Sequence, residues 1–202
     1  MIKPKISKDF LLNFIGFFLI FLFVLRLFSL FIGENIIHFF WLCNHAPLII
    51  GLAILFRKSF LLTAEVSFLF VGFLSWVLDY LFKLFFNAHL FGTTAYLFPI
   101  TNFFFFSITT TVHFLTFPLA LIALFLIKKP EPKAWKGALI HAIILIPFSV
   151  YFGEKYNLNC FLKPCINLFP DIIFYPLLFL FSYFVLIVIP TNIFLTKLIK
   201  KD

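Results

Sequence analysis

A thiol and several imidazoles lie inside the apolar stretches of this sequence, where ionisable side chains are rare and usually have a function. Cys43 and His113 have complementary chemistry, because an imidazole can take the proton of a thiol and leave a sulfur nucleophile for an acyl ester. Asn44, His45 and Thr109 are candidates for orienting groups or for donors to an oxyanion. One interpretation of the sequence is therefore an intramembrane nucleophile, Cys43, which attacks an acyl ester after activation by His113 or by His45.

Depth in the membrane predicts which of the polar groups meet. A rise of about 1.5 Å per residue places one group of residues roughly 8 to 15 Å below the outer surface: Arg26, Cys43, His45 and Asp79. We expect Arg26 and Asp79 to approach each other or to share a polar partner there, because an isolated charge costs at least roughly 2.5 kcal/mol. His113 lies nearer the midplane, whereas Glu65 and His141 lie toward the cytoplasmic ends and belong to a different layer.

The second apolar segment has its own pattern. His38, Trp41 and His45 are spaced i, i+3 and i+7, which predicts that they share one face of a helix. Pro47 has no amide hydrogen to donate to the carbonyl of Cys43, so a kink is expected there.

Other interpretations of these residues stay open, and so does the question of whether the chain is an enzyme. In one, Arg26 and Asp79 are a structural pair, the histidines are hydrogen-bonded between helices, and Cys43 is a small packing residue. A binding or transport function is another.

A metal site would draw its ligands from His38, Cys43, His45, Asp79 and His113. The spacing His-x4-Cys-x-His does not set the first three on one helical face, which argues against such a site. We therefore predict neither a metal nor a cofactor.

The elements that must position these residues are membrane-spanning helices. Of 202 residues 63% are hydrophobic and only 12% are charged, too few for a water-soluble surface. Six segments reach the length of about 20 apolar residues that crosses a bilayer: roughly 10–33, 36–56, 60–86, 100–127, 137–153 and 172–195. The fifth is the shortest. We predict an all-α membrane protein, residues 1–202, with six transmembrane helices in one bundle.

The cations predict the orientation of this bundle. Most of the 16 Lys and Arg residues lie on alternate connections: Lys3, Lys5 and Lys8; Arg57 and Lys58; Lys128, Lys129, Lys133 and Lys136; Lys197, Lys200 and Lys201. By the positive-inside rule these connections and both termini are cytoplasmic. The cations form no single basic face, so we predict a multi-pass protein of the cell membrane with lipids, and not nucleic acid, as its partners.

Two further cysteines, Cys160 and Cys165, fall in an outer loop with the spacing Cys-x4-Cys. They form a disulfide if that compartment is oxidising, and two loop thiols are the alternative.

Four short motifs, in this order, resemble those of the YwaF-type integral membrane proteins: Leu42-Cys43-Asn44, Thr111-Val112-His113, Trp135 and Asn157-Leu158-Asn159-Cys160-Phe161-Leu162-Lys163-Pro164. Those proteins are similar to transmembrane acyltransferases that remodel phospholipids and, more distantly, to the androgen-induced-gene lipid hydrolases. The resemblance covers roughly residues 38–190. It implies a catalytic pair of a membrane Cys and a His on another helix, at Cys43 and His113.

The predicted orientation has a direct test. A reporter fused after Asp202 should be cytoplasmic, because the cationic connections alternate throughout. A reporter found outside would contradict the count of six spans, most directly at the short segment 137–153.

Overall fold

The computed structural model describes residues 7–33, 35–164 and 174–199, and every regular element in these ranges is helical. Lys3, Lys5, Cys165, Lys200, Lys201 and Asp202 lie outside them, as does the predicted start of the last span at 172. The α-helices are α1 (Lys8–Gly33), α2 (Leu42–Leu55), α3 (Ser59–Phe86), α4 (Phe103–Ile127), α5 (Trp135–Tyr156), α6 (Tyr175–Tyr183) and α7 (Ile189–Ile199). A π-helical turn, Phe184–Val188, joins α6 to α7, and short 3-10 helices cover Ile36–Phe40, Ala95–Leu97 and Leu158–Cys160.

Five spans in the described part of the chain are long and apolar enough to cross a membrane: α1, α3, α4, α5 and the continuous stretch Tyr175–Ile199. The second predicted span, 36–56, is wrong as one helix. Its α-helical part, α2, has 14 residues, and at about 1.5 Å per residue it falls short of a hydrocarbon core of about 30 Å. This is the architecture of a helical membrane protein with one short helix inside it.

The outward faces of the helices are apolar. On α1, Phe10, Phe14, Phe17 and Phe21 are each more than half exposed and follow one another at helical spacing. Exposed phenylalanines in such a row would aggregate in water, but they match the lipid tails around a membrane helix.

The fifth span also proves longer than predicted, since α5 covers 22 residues.

Helices α1 to α4 form a ring in which each helix packs against its two neighbours, with a further contact between α2 and α4. Helix α5 and the last span lie against α3. Helix α3 is therefore shared by both halves, and its buried polar residues can reach either side.

Helices α1 and α2 approach closely at a pair of glycines. A Cβ atom at Gly51 would lie 2.8 Å from the carbonyl oxygen of Gly16 and 2.8 Å from Cγ1 of Ile20. Only glycine fits there, because the nearest atom belongs to the backbone and cannot rotate away. Small residues at such crossings are the usual means of close packing between membrane helices.

Replacing Gly51 with alanine should therefore lower stability by about 1–3 kcal/mol, the typical penalty of overpacking. Thermal unfolding of the purified protein in detergent measures the loss. Gly72→Ala in α3 is the matched control, because a Cβ atom there meets nothing within 4 Å. Equal stability of the two variants would show that α1 and α2 do not pack as closely as described.

Candidate functional site

The polar centre of the molecule is built around the interruption that precedes α2. Residues Ile36–Phe40 form a 3-10 helix and Trp41 is extended, so α2 begins only at Leu42. The predicted common helical face of His38, Trp41 and His45 is therefore wrong. These residues belong to three different backbone conformations.

Each of the carbonyls of residues 38–40 accepts a hydrogen bond from a different side chain. The donors are, in order, Asn44 Nδ2 at 2.6 Å, His45 Nδ1 at 2.9 Å and Asn159 Nδ2 at 3.0 Å. Asn159 also accepts a bond from the Leu42 amide at 2.7 Å and thereby caps α2. Asn159, in the connection that follows α5, is thus a structural part of the centre, which the sequence motif alone did not reveal.

Arg26 of α1 is buried beside this interruption. Its Nε donates to Asn44 Oδ1 at 2.9 Å, and its guanidinium lies over the ring of Phe105, 5.0 Å from the centroid. The buried cation is thereby held against the first turn of α2.

Cys43 is the second residue of α2 and carries a reduced thiol. Its Sγ lies 3.9 Å from Asn44 Oδ1, the oxygen to which Arg26 also donates. The amides of a first helical turn have no partners within the helix, and the helix dipole makes this end positive. Negative charge on this sulfur would therefore be stabilised by the start of α2 and by the nearby guanidinium.

His113 lies in α4, buried against α3. Its Nδ1 bonds to the carbonyl oxygen of Thr109 at 2.8 Å, and its ring stacks on Trp76 with 4.0 Å between centroids. Because a carbonyl only accepts, Nδ1 carries the hydrogen, and Nε2 of the neutral ring has the lone pair. Thr109 therefore orients His113 through its backbone, and its own hydroxyl has no hydrogen-bond partner among the described residues.

The structure does not join the two predicted catalytic residues by a hydrogen bond. The Cys43 thiol is next to Asn44, whereas the His113 ring is sandwiched by α3 aromatics. The structure does gather Arg26, Cys43, Asn44 and His45 at the start of α2.

The predicted pairing of Arg26 with Asp79 is wrong. The buried Asp79 carboxylate is occupied by the connection that follows α3, and within the described residues its one ion-pair partner is His89, at 3.1 Å. Its other donors are the amides of Phe91 at 2.6 Å, Gly92 at 3.0 Å and Thr94 at 2.9 Å, and the Thr94 hydroxyl at 2.6 Å. Asp79 thus organises the loop 89–94.

Glu65 and His141 do not form a layer separate from His45, contrary to the sequence prediction. His141 bonds through Nδ1 to Glu65 Oε1 at 2.8 Å and through Nε2 to His45 Nε2 at 2.9 Å. The depth count assumed one continuous α-helix from residue 36, and that assumption fails because a 3-10 helix and an extended residue precede α2. The signal in the sequence was that three ionisable residues in apolar helices all need partners.

The sequence also contains candidate metal ligands and a pair of closely spaced cysteines. Among the described residues, no group of three or more His, Cys, Asp or Glu side chains is arranged to hold a metal ion. Cys160 is disulfide-bonded, and Cys165, the partner that the spacing suggests, lies outside the described residues.

Comparison of the chain with protein-family models, with curated proteins and with solved structures finds no match. Function is therefore inferred from the residues and their geometry.

The separate surroundings of Arg26 and Asp79 lead to a prediction. Asp79→Leu should destabilise the protein by at least about 3 kcal/mol, because it leaves buried amides of the loop 89–94 without an acceptor. Arg26→Leu should act independently, so that the double variant loses the sum of the two within about 0.5 kcal/mol. Denaturant unfolding in detergent measures all three variants. A double variant more stable than Asp79→Leu alone would restore the direct pair.

Proposed function

We propose that this chain is a lipid acyltransferase or ester hydrolase of the cell membrane, with both termini cytoplasmic and with Cys43 and His113 as its catalytic pair. The observation that carries the proposal is the position of Cys43: a reduced thiol in the first turn of a buried helix, sharing Asn44 with a buried arginine. This is the environment in which a sulfur becomes a nucleophile. The resemblance to YwaF-type proteins agrees with it.

A place for the acyl chain lies on the segment just before α2. A groove of about 350 Å³ there has a wholly apolar lining: Leu27, Phe31, Ile36, Ile37, Phe39, Phe40 and Phe152. A lipid tail in this groove would be in contact with the 3-10 helix that leads directly into Leu42 and Cys43. Binding of the apolar tail would thus bring an ester toward the polar start of α2.

The chemistry proceeds in two balanced steps. His113 Nε2 takes the thiol proton, the Cys43 sulfur bonds to the ester carbonyl carbon, and the ester C–O bond breaks as the leaving alkoxide receives that proton. Water or an acceptor hydroxyl then attacks the thioester, gives its proton to His113, and releases the Cys43 sulfur, which regains a proton. Arg26 is the group to stabilise the oxyanion, because the amides of Leu42 and Asn44 are already bonded to Asn159 and to the Trp41 carbonyl.

The proposal requires Cys43 and His113 to approach when lipid is bound. Catalytic hydrogen bonds are often long before substrate arrives. His113 keeps the required tautomer in the structure, because Nδ1 is committed to the Thr109 carbonyl. Its approach therefore needs a shift of α4 against α2 and no change of protonation.

A lipid with an alkyne-tagged acyl chain tests the proposal. Purified protein in vesicles should acquire the tag on Cys43 as a thioester that hydroxylamine releases, and Cys43→Ala should acquire none. His113→Gln should slow the labelling by about 10²-fold or more, the usual contribution of a general base. Thr110→Val is the control on the same helix, because its hydroxyl has no hydrogen-bond partner in the described part of the chain. A tag retained by Cys43→Ala, or labelling absent across glycerolipids and sterol esters, would contradict the proposal.

A further inference from the structure

Three side chains on three different helices, two of them buried and the third, His141, 11% exposed, form one continuous line of hydrogen bonds. Glu65 of α3 bonds to His141 of α5 at 2.8 Å, His141 bonds to His45 of α2 at 2.9 Å, and His45 bonds to the carbonyl of Phe39 at 2.9 Å. Glu65 is 1% exposed and His45 is 7% exposed. We call Glu65, His141 and His45 the buried triad.

The end at Phe39 fixes where the first hydrogen lies. A carbonyl oxygen only accepts, so His45 Nδ1 must carry a hydrogen. When the His45 ring is neutral, its Nε2 has a lone pair, and His141 Nε2 must donate to it. When the His45 ring is charged, its Nε2 donates and His141 Nε2 accepts.

Glu65 is at the other end of the line. Each arrangement that puts one hydrogen in every contact, and leaves no hydrogen without an acceptor, holds the same number of protons. A protonated Glu65 donates to His141 Nδ1 while both rings are neutral; alternatively Glu65 is a carboxylate and either His141 or His45 is an imidazolium. Each of these three forms holds one proton more than a Glu65 carboxylate with two neutral rings. The buried triad then has no net charge, which is the least costly state in a low-dielectric interior.

A second proton, or the loss of the first, leaves a group without a partner. With a Glu65 carboxylate and two neutral rings, His141 Nδ1 donates to Glu65, and the lone pairs of the two Nε2 atoms face each other at 2.9 Å. With two excess protons, two N–H groups face each other, a bond to Glu65 is lost, or the second proton lies on Glu65 Oε2, which has no hydrogen-bond partner among the described residues, and the triad carries a buried positive charge. The geometry is therefore satisfied by a single excess proton.

The single proton can also move within the triad without rotation of any side chain. Transfer from Glu65 Oε1 to His141 Nδ1 leaves an imidazolium, and transfer from His141 Nε2 to His45 Nε2 moves the charge on to α2. Each step exchanges a covalent bond and a hydrogen bond along a contact that already exists, so atoms and charge balance at every step.

We propose that Glu65, His141 and His45 form an intramembrane proton-binding site, a relay that holds one exchangeable proton and links α2 to α5 only while that proton is bound. The site goes beyond the proposed acyl chemistry, because it includes neither Cys43 nor His113. Loss of the proton would break the bond between His45 and His141, next to the groove lined by Phe39 and Phe152, while Phe40 stays stacked on Phe148 of α5.

The residues around the buried triad do not compete with it for the proton. The rings next to it are aromatic: Phe39 lies 5.7 Å from His45, and Phe68 lies 5.5 Å from His141, between centroids. The titratable and charged groups on the adjoining elements have other partners: Arg26 is bonded to Asn44, Cys43 to Asn44, Tyr183 to the Phe68 carbonyl, His38 lies beside Tyr156, and Lys136 lies over Trp135. The described residues offer no third ligand that would make the two facing Nε2 atoms a metal site.

The experiment is a ¹⁵N NMR titration of the histidine rings in the full chain, selectively labelled and placed in lipid nanodiscs. His45 and His141 should change together in one step that releases one proton per molecule. Independent titration of the two rings, or release of two protons, would overturn the relay. So would a coordination shift of both Nε2 signals on addition of Zn²⁺.

Glu65→Gln is the diagnostic variant. Its amide can donate to His141 Nδ1 as a protonated Glu65 does, but it has no proton to release. Over the pH range of the wild-type step, His141 should therefore stay protonated at Nε2 only and His45 at Nδ1 only. A step like that of the wild type in this variant would contradict the proposal.

Two further variants complete the test. His45→Gln removes the His45 end of the line, so His141 should lose the joint step and titrate with Glu65 alone. This variant also tests the relay if Glu65→Gln does not fold. His113→Gln is the matched control on α4 and should keep the joint step. His113 is also the proposed base for Cys43. A protein that shows the joint titration step but no lipid labelling would therefore contradict the acyl chemistry and leave the relay intact.

Discussion

The structure depends on one constraint: backbone polar groups that leave a helix inside a membrane protein must find partners within the protein. Between Ile36 and Trp41 the chain leaves α-helical geometry at the edge of the buried core. The carbonyls of residues 38–40 accept hydrogen bonds from three side chains, and that of His38 accepts the Trp41 amide as well. Asn44, His45 and Asn159 are thereby fixed in place and in orientation.

The remaining bonding capacity of those side chains determines the rest of the polar centre. Asn44 gives its amide hydrogen to a carbonyl, which turns its oxygen toward Arg26 and the Cys43 thiol. His45 commits Nδ1, which leaves Nε2 to face His141. One break in a helix thus sets both the environment of a nucleophile and the end of a proton-binding line, and the two share a short stretch of α2.

Composition and apolar length were enough to predict an all-helical membrane chain, and five of the six predicted spans correspond to long helices. The interruption before α2 was not predictable, because 36–56 is long and apolar enough to be taken for one helix and its break is stabilised by Asn159, more than a hundred residues later. Helical spacing and depth were then counted as if the segment were one continuous helix, and that count separated His45 from Glu65 and His141. Charge alone also suggested that Arg26 and Asp79 should pair, whereas an acceptor with two oxygens was better satisfied by a local loop of amides.

The polar residues that were singled out for chemistry are nonetheless those around which the interior is organised. Arg26, Asn44, His45, Asp79 and His113 are all buried. Their types were informative, because ionisable groups are retained in apolar helices only with partners. Their pairing was not, because it depends on contacts between helices far apart in the sequence.

The cap on α2 has a consequence for how the protein is made. The Leu42 amide bonds to Asn159, 117 positions later in the chain. At a synthesis rate of about 5–20 residues per second, that interval is roughly 6 to 23 s. Throughout it, the start of α2 has emerged from the ribosome without its native acceptor. The cap on α2 therefore forms only after α5 and the connection that follows it have been synthesised.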